Sequence, residues 1–157
     1  MRPPLPPTET ELCNSVQEIY AELEKRPIER DCLRRTECCQ FRLTGRTPFL
    51  TAAEAVLAAR AFRSTGRSKL PKTEDGSCPM LDQGSGKCTI YADRPFGCRT
   101  HFCAAAGGPY SRREVVDLIH RLEDVSSRLG RLDARRLPDA VAFALQNRAT
   151  PTPRRSR

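Results

Sequence analysis

The chain has 157 residues and a formal net charge of +8, with 38% hydrophobic and 29% charged residues. This length is typical of one domain with a core of its own. No stretch reaches the roughly 18 apolar residues of a membrane span, and the first residues lack the apolar segment of a signal peptide. The sequence therefore predicts a cytoplasmic protein that does not enter a membrane.

Three segments begin with the pattern of a capping box, in which a Ser or Thr and a Glu three residues later satisfy each other's backbone N–H groups. The pairs are Thr8 with Glu11, Thr51 with Glu54, and Ser111 with Glu114. Each pair precedes a run with helical patterning, and we expect these helices to end at Pro27, near Phe62 and near Gly130. A fourth, shorter helix is predicted from Pro138 to about Asn147.

Residues 27–48 and 64–110 are rich in Gly and Pro and have no long periodic pattern. Two short apolar runs within 78–91, on either side of a Gly-rich turn, predict a small hairpin. The predicted fold class is mainly α: one small domain whose helices pack around an irregular, cysteine-rich, metal-organised centre with one short hairpin. The predicted organisation is a disordered tail 1–8, a domain 9–147 with a motif core 30–103 and C-terminal helices 111–147, and a basic disordered tail 148–157.

Cysteine is the residue type that indicates chemistry in this chain. Seven of the eight cysteines lie in or near the irregular segments, namely Cys32, Cys38, Cys39, Cys78, Cys88, Cys98 and Cys103. Thiols stay reduced in the cytoplasm, so clustered cysteines indicate metal ligands before disulfides. With His101 they make eight donors, enough for two tetrahedral sites or for one four-cysteine cluster with thiols left over. Cys13, inside the first predicted helix, is expected to be a packing residue.

The order of these residues resembles a known family. Four segments carry the resemblance: Cys32-x-x-Arg35-x-x-Cys38-Cys39, Cys78-Pro79-x-Leu81, Gly86-x-Cys88-x-Ile90-Tyr91, and Arg94-Pro95-x-x-Cys98-Arg99-x-x-x-Cys103. They are similar to the CxxCxxCC cysteine-cluster family, also called the YkgJ family, whose members are described as zinc- or iron-chelating. The resemblance covers about residues 30–103, with Arg35 in place of the second cysteine of the opening motif.

The resemblance implies a metal centre of zinc or iron, including an iron–sulfur cluster, held by the seven cysteines. His101 is an optional eighth ligand in this interpretation. Four further side chains are candidates to surround the ligands, namely Arg35, Arg94, Arg99 and Tyr91. The arginines would offset thiolate charge, and the tyrosine would cover the site. For Arg94 and Arg99 an equally open alternative is a turn-stabilising role, in which the guanidinium binds backbone carbonyls.

The sequence predicts a metal-binding protein rather than an enzyme, because it offers no evident acid–base pair and no nucleophile with its base. Zinc as a structural ion is favoured, since a closed thiolate shell stabilises a small core. One alternative is an iron–sulfur redox protein or a factor in protein modification, because related domains are associated with flagellin lysine methylation. Another is a nucleic-acid-associated zinc module, since residues 111–157 hold eleven Arg against six acidic residues. The expected partner is the metal ion, with no membrane, and any protein partner is open.

Overall fold

The computed structural model of the chain describes residues 2, 4–26, 39–41, 45–101, 109–130 and 133–147. Within these ranges the elements in chain order are α1 (Glu9–Lys25), β1 (Phe49–Leu50), α2 (Ala52–Ser64), a 3₁₀ turn (Tyr91–Asp93), α3 (Phe96–Thr100), α4 (Arg112–Ser127), β2 (Arg135–Arg136) and α5 (Leu137–Gln146). The prediction of a small, mainly helical protein is confirmed.

All four helices predicted from the sequence are present. At Thr8 and Thr51 the side-chain hydroxyl accepts from the backbone N–H of the Glu three residues later, and that Glu accepts in return from the cap's own N–H. At Ser111 the backbone N–H donates to Glu114 Oε2 at 2.8 Å. α2 is followed by Gly66 at φ 86°, a left-handed conformation that glycine adopts without the steric cost of a Cβ. The local signals therefore determine where these helices begin and end.

One hydrophobic cluster, called the first cluster below, lies where α1 packs against α2 and α4. Most of its buried residues are spaced at three and four along these helices, which is the spacing that places side chains on one helical face. Its members are Leu12, Cys13, Val16, Ile19, Tyr20, Leu23, Ala53, Leu57, Phe96, Val115, Leu118, Leu122 and Val125. Cys13 is fully buried here, so the expectation that it packs within a helix is confirmed.

A second hydrophobic cluster, called the second cluster below, lies on the other side of α2, where α5 packs. It combines helical residues with residues from the irregular segment 78–90. Its members are Leu50, Ala55, Ala58, Ala59, Phe62, Cys78, Met80, Leu81, Ile90, Leu137, Ala140, Val141 and Ala144. α2 therefore separates two cores and contributes a different face to each.

The strand pairing differs from the sequence prediction. β1 pairs antiparallel with β2, with Phe49 opposite Arg136 and Leu50 opposite Arg135. The predicted hairpin within 78–91 is present as a turn with a single antiparallel bridge, between Leu81 and Cys88, and the structure assigns no strand there. Two-residue strands are too short to show an alternating pattern, and their pairing joins distant parts of the chain, so the sequence offered no local signal for them.

Two further expectations concern the membrane and the C-terminal tail. Among the described residues, no helix has the length and apolar character needed to cross a membrane. The basic tail 148–157 lies outside the described residues.

Candidate metal centre

Four of the predicted ligands belong to the second cluster or pack against it. Cys78 is one of its buried members, and Cys39, Cys88 and Cys98 are partly buried side chains packed against it. The backbone N–H of Cys78 donates to the carbonyl of Cys39 at 2.7 Å, which joins two segments that are far apart in sequence. Four cysteines that are far apart in the sequence therefore contact the same hydrophobic cluster.

The turn between Cys78 and Cys88 holds these two cysteines in place. Asp82 accepts hydrogen bonds from the hydroxyl and the backbone N–H of Ser85, at 2.7 and 3.2 Å, and these bonds hold the pKa of Asp82 below its usual range. Gly86, at φ 68°, donates its N–H to the Asp82 carbonyl at 2.7 Å and lets the chain reverse direction. The reversal brings Cys88 opposite Leu81, the residue whose N–H donates to the Cys78 carbonyl at 3.0 Å.

The short helix α3 carries Cys98, and a buried carboxylate anchors its first turn. Glu54 Oε1 accepts from the Phe96 backbone N–H at 2.8 Å and from the Tyr20 hydroxyl at 2.9 Å. Glu54 Oε2 accepts from the N–H and the hydroxyl of Thr51, both at 3.0 Å. Glu54, the glutamate of the α2 capping box, thus also fixes the start of α3, two residues before Cys98.

Tyr20 links this anchor to the rest of the site. Its complete burial, followed by the charge of Glu54 and their hydrogen bond, raises the pKa of the Tyr20 hydroxyl well above its usual value. The phenol therefore stays protonated and donates to Glu54. The guanidinium of Arg99 lies over the Tyr20 ring, 4.3 Å from its centre, so the residue after Cys98 also packs on Tyr20.

Arg99 and Arg94 bind backbone carbonyls of the surrounding turn, and Arg99 also binds the carboxylate of Glu24 on α1. Arg99 is buried and donates from Nε to the Arg94 carbonyl at 2.7 Å, from Nη1 to Glu24 Oε1 at 2.7 Å, and from Nη2 to the Ala92 carbonyl. Arg94 donates from Nε to the Tyr91 carbonyl at 3.1 Å and lies over the Tyr91 ring. These contacts are those of the turn-stabilising alternative, and a role for these three side chains beside sulfur stays a prediction.

His101 follows α3 and lies near Arg46. The distance from Arg46 Nη1 to His101 Nδ1 is 3.5 Å. Partial burial, and after it the positive charge of Arg46, lowers the pKa of the imidazole. The neutral imidazole is the form that can bind a metal ion.

The described residues supply donors suited to zinc or iron but do not by themselves complete a ligand shell. Within the described ranges, no three side chains of His, Cys, Asp or Glu come close enough together to hold a metal ion. Four of the predicted site residues fall outside these ranges: Cys32, Arg35, Cys38 and Cys103. The donor chemistry therefore fits a thiolate-bound metal, while the complete ligand set stays a prediction.

Sequence reasoning missed two residues of this region. Glu54 was recognised only as half of a capping box, and Tyr20 was not singled out. The sequence did offer a signal for Glu54, because this glutamate lies between alanines in an Ala-rich run. The structure buries it. Tyr20 lies four residues after Val16 and so shares the apolar face of α1, but nothing in the sequence pairs it with Glu54.

Comparison with known proteins agrees with the cysteine pattern. No curated protein and no solved structure matches the chain. A family model named CxxCxxCC, described as "Putative zinc- or iron-chelating domain", matches residues 30–118. The match includes the segment around Cys39, the turn between Cys78 and Cys88, and α3. Because it covers more than half of the chain, this protein belongs to the CxxCxxCC family.

Proposed function

We propose that this protein binds zinc or iron through the cysteine thiolates of its motif and catalyses no reaction of its own. The proposed ligands are those of the sequence prediction: Cys32, Cys38, Cys39, Cys78, Cys88, Cys98 and Cys103, with His101 as an optional eighth. The observation that carries the proposal is the packing of four of these cysteines on one hydrophobic cluster. Family membership supports the same chemistry.

Zinc with a structural role is the form of the proposal that we favour. A tetrahedral thiolate shell links segments that regular backbone pairing does not join, and the energy of metal binding then becomes folding energy. The segment from Cys78 to Cys88 is of this kind, because it consists of turns and one bridge and contains no helix or strand. A reducing compartment such as the cytoplasm belongs to the proposal, since oxidised thiols do not bind the metal.

The experiment is metal analysis of protein purified without oxygen, together with its absorbance spectrum. We expect near-stoichiometric zinc and no visible colour. A brown protein with broad absorbance at about 400 nm would instead favour the iron–sulfur alternative. Protein that holds neither metal after anaerobic purification would contradict the proposal.

Substitution of the ligands tests which residues bind the metal. The double variant Cys88→Ser, Cys98→Ser should lose most of its metal, because two donors of the shell are removed. Cys13→Ala is the matched control, since Cys13 is a buried cysteine that belongs to the first cluster. Equal metal content in the native protein and the double variant would overturn the assignment of these ligands.

A further inference from the structure

The molecule contains a cavity of about 930 Å³, and two of the proposed metal ligands, Cys98 and His101, are among its lining residues. Its walls come from the loop before β1, from α3 and from α4, and β1 and β2 contribute one residue each. The volume falls in the range of small-molecule sites, roughly 300–1,000 Å³. The chemistry of the wall then decides which class of molecule it would accept.

Three guanidinium groups line this cavity. Arg46 lies on the loop before β1, Arg112 is the first residue of α4, and Arg136 lies on β2. Within the described part of the chain, Arg112 and Arg136 have no acidic partner. Two positive charges at the rim are thus available to an incoming anion.

The acidic residues in the wall do not cancel these charges. Glu54 is buried, and its two oxygens already accept hydrogen bonds from Tyr20, Thr51 and Phe96. Glu123 is the other carboxylate in the wall, and it lies nearly three turns along α4 from Arg112. The wall therefore offers more positive than negative charge to a ligand.

An exposed aromatic ring lies beside one of these arginines. Phe49 is 59% exposed and is directly opposite Arg136 in the β1–β2 pair. Directly opposite residues of an antiparallel pair point to the same face, and both of these residues line the cavity. Val115 and Ile119 of α4 add aliphatic surface to the wall. The cavity thus combines apolar surface with guanidinium groups.

We propose that this cavity binds a small organic anion, a molecule with an apolar body and a carboxylate, sulfonate or phosphate group. Arg112 and Arg136 would bind the anionic group, and Phe49 with the aliphatic residues of α4 would contact the apolar body. Isolated aromatic side chains are common on protein surfaces, but ligand pockets combine apolar and aromatic side chains with a few polar groups, and this wall has that combination. The side chains that would bind this anion are not among the proposed metal ligands, so variants at these positions test the cavity separately from the proposed function.

The experiment uses two fluorescent probes that differ mainly in charge. 8-Anilinonaphthalene-1-sulfonate is an anion, and N-phenyl-1-naphthylamine is its neutral counterpart. We expect the full-length protein to bind the sulfonate at least tenfold more tightly than the amine. The double variant Arg112→Gln, Arg136→Gln should lose at least tenfold in affinity for the sulfonate and little for the amine. Phe49→Thr should weaken the binding of both probes.

A matched control separates the cavity from overall charge. The double variant Arg113→Gln, Arg121→Gln removes the same two charges from exposed positions of α4 that do not line the cavity. We expect its affinity for the sulfonate to stay within about twofold of the native value, with melting temperatures confirming that all variants fold. Equal losses in both double variants, no loss in the first, or no binding by the native protein would overturn the proposal.

Discussion

The two hydrophobic clusters contain the same residue type, cysteine, in two different settings. Cys13 lies in the first cluster on a regular helix, and burial raises the pKa of its thiol to about 11. Cys78 lies in the second cluster on an irregular segment, with Cys39, Cys88 and Cys98 packed around that cluster. The first setting keeps a thiol protonated and inert, while the second brings several cysteines to one cluster, where we propose that they contribute to a metal site.

The two regions also differ in the interactions that hold them together. Helical backbone bonds and apolar packing along α1, α2 and α4 account for the first cluster. The second cluster has the same support from α2 and α5, but its 78–90 segment has turns, one bridge and a few backbone hydrogen bonds in place of a helix or strand. We therefore expect the two regions to respond differently to the same perturbation.

The largest expected effect follows from metal removal. A chelator such as EDTA should lower the free energy of unfolding by on the order of 5 kcal/mol, because the proposed metal site would supply part of the folding energy. The loss should be local. Hydrogen exchange should show faster exchange of the amides of Cys78, Leu81 and Thr89, which are hydrogen-bonded in the second region, and little change in the middle of α1.

Leu118→Ala provides the opposite perturbation as a control. This substitution leaves a cavity in the first cluster at a cost of about 3 kcal/mol, without touching a predicted ligand. Metal content should stay at the native value while α1 and α4 exchange faster. If chelation instead loosened both clusters equally, the two regions would form one cooperative unit and the comparison would fail.

A smaller effect is expected from Glu54, which links the two regions. Glu54→Ala should cost about 3 kcal/mol, because the Tyr20 hydroxyl and the Phe96 N–H would be left buried without their acceptor. Since α3 carries Cys98, we also expect weaker metal retention at equal protein concentration. Urea unfolding and metal analysis would measure the two effects.

Two variants make the Glu54 result specific. Glu54→Gln keeps one oxygen acceptor and should recover about half of the lost stability. Glu114→Ala removes the matching glutamate of the exposed capping box on α4 and should change stability far less. A Glu54→Ala protein with native metal affinity would show that α3 needs no anchor to present Cys98.

The smallest effect concerns alkaline pH and the first cluster. The pKa of Cys13 is about 11 in the folded protein, against about 8.5 for an unfolded cysteine, so the fold favours the neutral thiol. This contribution is fully present below about pH 8.5 and is lost as pH rises through 11. At pH 10 we expect a loss of about 2 kcal/mol relative to pH 8, measured as the difference between the native protein and Cys13→Ala. An identical pH dependence in both proteins would show that Cys13 does not contribute.

Local patterns were sufficient for most of the helical frame. The capping boxes at Thr8, Thr51 and Ser111 and the apolar stripes after them predicted α1, α2 and α4, because each signal acts within a few residues. The pairing of Phe49 with Arg136 was missed, since it brings together two dipeptides that lie far apart in the sequence. α3 was also missed, because five residues are too few to show helical periodicity.

The sequence by itself determined α1, α2, α4 and α5, the packing role of Cys13 and the cysteine pattern of the CxxCxxCC family. These depend on residue types at short spacings, which the chain carries in any conformation. Only the tertiary structure decided that α2 separates two cores, that Glu54 serves two helices, and that Phe49 and Arg136 line one cavity. Those features depend on which distant residues meet, and that is decided by the burial of apolar surface across the whole chain.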